Sequence, residues 1–131
     1  MIKSVWGVTL SVSDLKEAIA FYEKTLGLNK KYEYSSYAGF QCGGVEVGLT
    51  RDKKEKGHIA GAPSIQFLVD NVDAVYEELR KKGVDFVRSP HDEPWGGREA
   101  GFLDPEGNLL EVVQIDWRKY FEVSVKGTEA R

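Results

Sequence analysis

The sequence predicts an α+β fold: two tandem βαβββ units forming a curved mixed sheet around a concave cleft. Three observations predict it. The apolar pattern that begins at Val8 returns at Ile65. In both copies a two-residue alternation gives way to helical spacing. Each helical stretch is followed by short segments of strand character, closed in the second copy by the turn Asp104-Pro105-Glu106-Gly107-Asn108.

The repeat aligns residue by residue. Val8, Leu10 and Val12 fall on Ile65, Phe67 and Val69, and Asp14 falls on Asn71. Leu15, Ala18, Ile19 and Tyr22 fall on Val72, Val75, Tyr76 and Leu79, and Gly27 meets Gly83. Within the first copy, Val8, Leu10 and Val12 alternate with Thr9, Ser11 and Ser13, the period of a half-buried strand. Asp14 and Glu17 have the spacing of a capping box. Leu15, Ala18, Ile19, Tyr22 and Leu26 make the buried stripe of a helix over residues 14 to 26. Gly27 stops it, since glycine accepts the left-handed backbone of a helix end. The second copy repeats the order, with Asn71 as the cap and a helix over residues 72 to 82.

The strands that follow are KYEYSSY, GFQCG and VEVGLT in the first copy, then VDFVRSP, GREAGFLD and LLEVVQI in the second. Pro105 and Gly107 give the closing turn its backbone geometry, so its flanks read as a hairpin. One domain over residues 1–131 is expected. It has repeat one at about 4–50, a linker at 51–63, repeat two at about 64–115 and a tail at 116–131. Trp117, Tyr120, Phe121, Val123 and Val125 suit either an edge strand or an apolar cover, and the last five residues are expected to fray.

Bulk properties narrow the function. The chain has 131 residues, a mass of 14.7 kDa, a net charge of -3 and a pI of about 5.5. No basic patch suits nucleic acid, and the run RDKKEK mixes both signs. Cys42 is the single cysteine, which excludes an intrachain disulfide and reads as a structural thiol. The N-terminus MIKSVWGVTLSVSD lacks a long apolar run, so neither a leader nor a membrane span is expected. A cytoplasmic location follows.

The stretches VTLSVSDLKEAIAFYEKTLGL, from Val8 to Leu28, and FLDPEGNLLEVVQ, from Phe102 to Gln114, carry a resemblance. They are similar to the opening strand–helix and closing hairpin of the vicinal oxygen chelate superfamily of glyoxalases, bleomycin-resistance proteins and extradiol dioxygenases. The match runs from about residue 5 to 115. The resemblance implies the fold named above, a small-molecule site in the cleft, and a homodimer, because members of the superfamily commonly pair. Metal enzymes of the superfamily place one ligand on the first and one on the last strand of each repeat. Those positions fall on Gly7, Gly48, Ser64 and Glu111. Only Glu111 keeps a ligand of the family type, and one carboxylate is too little for a catalytic ion.

Strand parity then gives the candidate site. Thr9, Glu46, Gln66 and Glu111 belong to the faces opposite the helices, and Tyr37, Phe40, Trp95, Arg98 and Phe102 are placed on its walls. Tryptophan suits stacking on a flat ligand and arginine suits an anion. Carboxylates beside apolar neighbours are expected to titrate high through desolvation. His58 falls in the linker and His91 in a loop before Pro94, off the ligand-bearing strands. The reading is a protein resembling the drug-sequestering branch of the superfamily, binding a small organic molecule with no metal or other cofactor. The alternative is a metal-dependent lyase, isomerase or dioxygenase resembling lactoylglutathione lyase, with a divalent metal site rebuilt around Glu111 and Glu46.

Overall fold

The alternation of Val8, Leu10 and Val12 folds as the strand β1 (Gly7–Val12), and the apolar stripe after Asp14 folds as α1 (Leu15–Ala20), which widens into a π-helical turn at Phe21–Thr25. Three strands follow: β2 (Asn29–Glu33), β3 (Tyr37–Cys42) and β4 (Val45–Arg51). The same order then recurs as β5 (Ile65–Leu68), α2 (Val72–Lys81), β6 (Phe86–Asp92), β7 (Gly97–Leu103) and β8 (Leu109–Ile115). The computed structural model describes residues 1–57 and 61–126. The chain divides into two compact units, Met1–Ala60 with Asp104–Asn108, and Gly61–Leu103 with Leu109–Arg131.

Each unit holds one four-stranded mixed sheet, ordered β1-β4-β3-β2 in the first and β5-β8-β7-β6 in the second. The first and last strands of each repeat run parallel, with Thr9 opposite Gly48 and Gln66 opposite Glu111, and the other pairings are antiparallel. A parallel pair needs a long crossover, which the helix and the two intervening strands of each repeat supply.

The core of the first unit gathers Leu10, Val12, Leu15, Ala18, Ile19, Tyr22, Phe40, Val47 and Leu49 between α1 and its sheet. In the second unit Val72 and Leu79 of α2 are buried, and Tyr76, Phe86 and Phe102 form an aromatic ladder with ring centroids 4.6 and 5.1 Å apart. Both helices sit on one face of their own sheet, so strand alternation sends the remaining side chains to the opposite, open face.

Asp14 caps α1 by accepting from the Glu17 N–H at 3.1 Å, but the reciprocal half of the expected capping box is replaced. The Asp14 N–H donates instead to Glu106 Oε2 at 2.9 Å, and the Glu17 carboxylate pairs with Lys56. Glu106 is fully buried and also accepts from the Ser13 N–H at 2.8 Å and from the Ser13 hydroxyl. Asp104 organises the turn that carries it, accepting from the N–H groups of Glu106 and Asn108 and, at 2.6 Å, from the Tyr22 hydroxyl.

The tail departs from one expectation. Its described residues form a helix, α3 (Trp117–Lys126), and not an edge strand. Asp116 accepts from the Lys119 N–H at its start, and Tyr120 and Phe121 each lie about one turn beyond Trp117, so their rings meet its ring. The expected fraying of the last five residues lies outside the described residues. No helix among the described residues is long and apolar enough to cross a membrane.

Candidate functional site

The open face of the first sheet is built on two glycines. Gly39 and Gly48 lie opposite each other on β3 and β4, and both point to the face away from α1. A Cβ at Gly39 would strike the ring of Tyr32, and a Cβ at Gly48 would strike the hydroxyl of Tyr37. The absent side chains therefore let two tyrosine rings lie down on the sheet. The rings are nearly parallel, 22° apart in plane and 5.9 Å between centroids, and Tyr34 adds a third ring 5.7 Å from Tyr32.

Glu46 clamps this pavement. Its Oε2 accepts from the Tyr32 hydroxyl at 2.7 Å and the Tyr37 hydroxyl at 3.3 Å, and its Oε1 pairs with Lys31 Nζ at 3.2 Å. The Lys31 ammonium also stands 5.7 Å from the centroid of the Trp6 ring. The hydrogen bond from Tyr32, with the help of Lys31 and Tyr37, holds the Glu46 carboxyl below its ordinary range. This corrects the expectation of a high-titrating acid: three donors outweigh the desolvation. Conversely, the Glu46 bond and burial push the Tyr32 phenol up.

On the open face of the second sheet, Glu111 of β8 is only 9% exposed and accepts from the Ser64 hydroxyl at 3.2 Å. Gln66 opposes it on β5 and Gly101 opposes it on β7. Two residues along β7, Glu99 is 6% exposed and shares this face. Burial pushes the Glu99 carboxyl up, and the nearby charges of Glu111 and Glu93 add to the rise.

Of the candidate residues, Thr9, Tyr37, Phe40 and Glu46 belong to the first unit and Gln66, Trp95, Arg98, Phe102 and Glu111 to the second. Phe40 is no wall, being fully buried beside Tyr22 of the helical face. Gln66 and Glu111 come together as expected. Phe102 does not join them: it is fully buried in the ladder with Phe86 and Tyr76, on the α2 face. Its position on β7 has the opposite parity to Glu99 and Gly101. Arg98 also faces α2, where it grips Asp73 with two nitrogens at 2.9 and 3.0 Å and Asp92 with a third at 3.0 Å. Its donors are spent on structure rather than held for an anion. Trp95 lies in the turn before β7, its ring over Gly97 and edge-on to Tyr120 of α3 at 6.3 Å.

Two residue groups were not read as site from the sequence. One is Tyr32 and Tyr34, which complete the pavement around Tyr37 and for which the paired glycines within strands were the available signal. The other is His91. It sits on β6 opposite Glu99 rather than in a loop, and with Glu93 and Glu99 it offers donor atoms all within 4.8 Å of one another. The reading of His58 lies outside the described residues. Cys42 is half-buried and burial pushes its thiol up, which suits a structural group.

The four positions where related metal enzymes carry ligands do not fit a metal here. Gly7 and Gly48 have no donor atom, and the space above Gly48 is taken by the Tyr37 hydroxyl. Ser64 and Glu111 are hydrogen-bonded to each other.

The sequence profile of the Glyoxalase/Bleomycin resistance protein/Dioxygenase superfamily matches residues 7–112. The chain is 32% identical over 122 residues to the uncharacterized protein YraH of Bacillus subtilis (strain 168), covering 82% of this chain and 95% of the relative. It is 26% identical over 121 residues to a bleomycin resistance protein of Geobacillus stearothermophilus, covering 80% and 92%. Among solved structures, a glyoxalase/bleomycin resistance protein/dioxygenase from Nocardioides shares the fold with a TM-score of 0.72 at 23% identity, over 88% of this chain and 85% of that one.

Proposed function

Because the chain belongs to the Glyoxalase/Bleomycin resistance protein/Dioxygenase superfamily, we propose that it is a binding protein that holds a small organic molecule with a flat aromatic part. The observation that carries this reading is the pair of tyrosine rings laid over Gly39 and Gly48 and clamped by Glu46. Flat, preorganised rings offer stacking area at little entropic cost, which is the main opposing term in binding. Trp6, 77% exposed, extends the aromatic surface toward Lys31. The relative named for bleomycin resistance makes bleomycin the first ligand to try. A lyase- or dioxygenase-like site rebuilt from Glu46 and Glu111 has less support, since both carboxylates already serve protein donors. The same reading makes the protein a cytoplasmic homodimer. Its exposed Trp6, Trp117 and Phe121 support pairing, and light scattering at micromolar concentration checks it: a mass near the 14.7 kDa of one chain would count against it.

The test is a calorimetric titration of EDTA-treated protein with bleomycin and a panel of flat aromatic compounds. Tyr32→Ala and Tyr37→Ala should each weaken binding by roughly 5–10-fold, the scale of about 1–1.4 kcal/mol for one aromatic contact. A ligand that binds both variants as tightly as the parent, or a panel with no binder, would sink the reading.

A further inference from the structure

The second sheet carries a group of residues whose hydrogen bonding among the described residues is incomplete. His91 lies at the end of β6, Glu99 opposes it on β7, and Glu93 follows in the turn. His91 Nδ1 is 2.8 Å from the carbonyl oxygen of Ser89. A carbonyl only accepts, so the ring proton is on Nδ1. His91 Nε2 is 2.8 Å from a guanidinium nitrogen of Arg88, which only donates, so the Nε2 lone pair is free of a proton. Both partners fix the same tautomer.

That tautomer leaves acceptors facing acceptors. Nε2 stands 3.0 Å from Glu93 Oε1 and 3.6 Å from Glu99 Oε1, with no proton of its own to share. Glu99 Oε2 is buried and has no hydrogen-bond partner among the described residues. A buried carboxylate oxygen left without a donor is rare and costly, and it calls for a missing partner. Arg88 is a poor answer. Its side chain is about half exposed, it reaches Glu93 only at 3.8 Å, and among the described residues it makes no ion pair with Glu99.

We propose that His91, Glu93 and Glu99 bind a divalent first-row metal ion, with Zn²⁺ as the best fit, at a place distinct from the superfamily's ligand positions. One imidazole nitrogen and two carboxylate oxygens form a borderline donor set that suits such ions. Donor atoms held about 2.1 Å from a tetrahedral ion lie roughly 3.4 Å from one another. The two separations from His91 Nε2, 3.0 and 3.6 Å, bracket that spacing, and all three donor atoms lie within 4.8 Å of one another. The Ser89 carbonyl supplies the outer bond that orients a ligating histidine and raises its basicity. The ion takes the place of the Arg88 guanidinium, a tethered cation that swings out toward solvent. Three protein ligands leave at least one coordination position open to an oxygen-bearing molecule. The inference does not depend on the tyrosine pavement, which belongs to the other unit.

Tag-free, chelator-stripped protein should bind one equivalent of Zn²⁺ by calorimetry, and Co²⁺ in its place should give a visible ligand-field absorption. His91→Ala and Glu99→Gln should each weaken Zn²⁺ binding by roughly 10–100-fold or more, at least the scale of losing a supporting contact. Arg88→Gln should retain binding or tighten it, because the competing cation is gone. His91 is half-buried on an outer strand, so its variant is expected to fold as judged by circular dichroism, and it decides the matter if Glu99→Gln does not fold. The proposal is overturned by an absence of saturable one-to-one binding, by equal affinity in His91→Ala, or by loss of binding in Arg88→Gln.

Discussion

Replacing Phe102 by alanine is expected to lower stability by about 3–5 kcal/mol, the range for truncating a buried phenylalanine. Phe102 is fully buried and stacks obliquely on Phe86 at 5.1 Å, while Phe86 meets Tyr76 of α2 edge-on at 4.6 Å. The ladder is what seats α2 on its sheet. Loss of its inner ring leaves a cavity that strands β7 and β8 cannot close without breaking their pairing. A fall in melting temperature of roughly 15 °C follows from that loss in a domain of this size, and it should be independent of any ligand. Were Phe102 a wall of the binding site, the variant would keep its melting temperature and lose affinity instead. Thermal melts beside the titrations separate the two.

Glu106→Ala should cost about 3 kcal/mol at neutral pH, on the scale of losing charge-assisted hydrogen bonds and leaving their donors unpaired. The carboxylate is fully buried and serves the backbone of Ser13 and Asp14 as well as the Ser13 hydroxyl. Burial works to raise its pKa, but the hydrogen bonds from Asp14 and Ser13 outweigh it and hold the carboxyl below the ordinary value. A carboxyl lowered by folding contributes stability in full above its unfolded value of about 4.3. That contribution is lost as pH falls through the lower folded value. The gap between parent and Glu106→Ala should therefore be widest at pH 7 and narrow below about pH 4. Urea unfolding at pH 7 and pH 3 measures it, and a gap that stays constant would mean that lost packing, not the charge, sets the cost.

The sequence carried the fold more openly than the site, and particular residues show why. Val8, Leu10 and Val12, then Leu15, Ala18 and Ile19, alternate and recur at the spacings that local burial demands, so strand and helix were both visible. The tail was also open to reading. Asp116 before Trp117, Tyr120 and Phe121 has the spacing of a capped helix, but a short aromatic run is ambiguous between periods. Arg98 is another matter. Its partner Asp73 lies 25 positions away, and nothing local tells a spent guanidinium from an available one. Glu46 was placed on the correct face by parity, but its neighbours were hidden. An irregularity between Lys30 and Tyr32 shifts the register of β2, and another between Arg88 and His91 shifts that of β6. Each such shift resets the count by which faces are assigned.

The contact between Glu106 and Ser13 spans 93 positions of chain, and this sets an order on how the protein forms. The first βαβββ repeat can be synthesised and collapse early, yet the N–H groups of Ser13 and Asp14, just ahead of α1, lack their acceptor until the closing turn of the second repeat has left the ribosome. Bringing such distant groups together is entropically slow, and folds rich in long-range pairing fold late. Completion of the first repeat is thus tied to completion of the second, so a nascent chain stalled before Asp104 exposes an unfinished helix end and an unsealed core, the state most open to proteases and to aggregation.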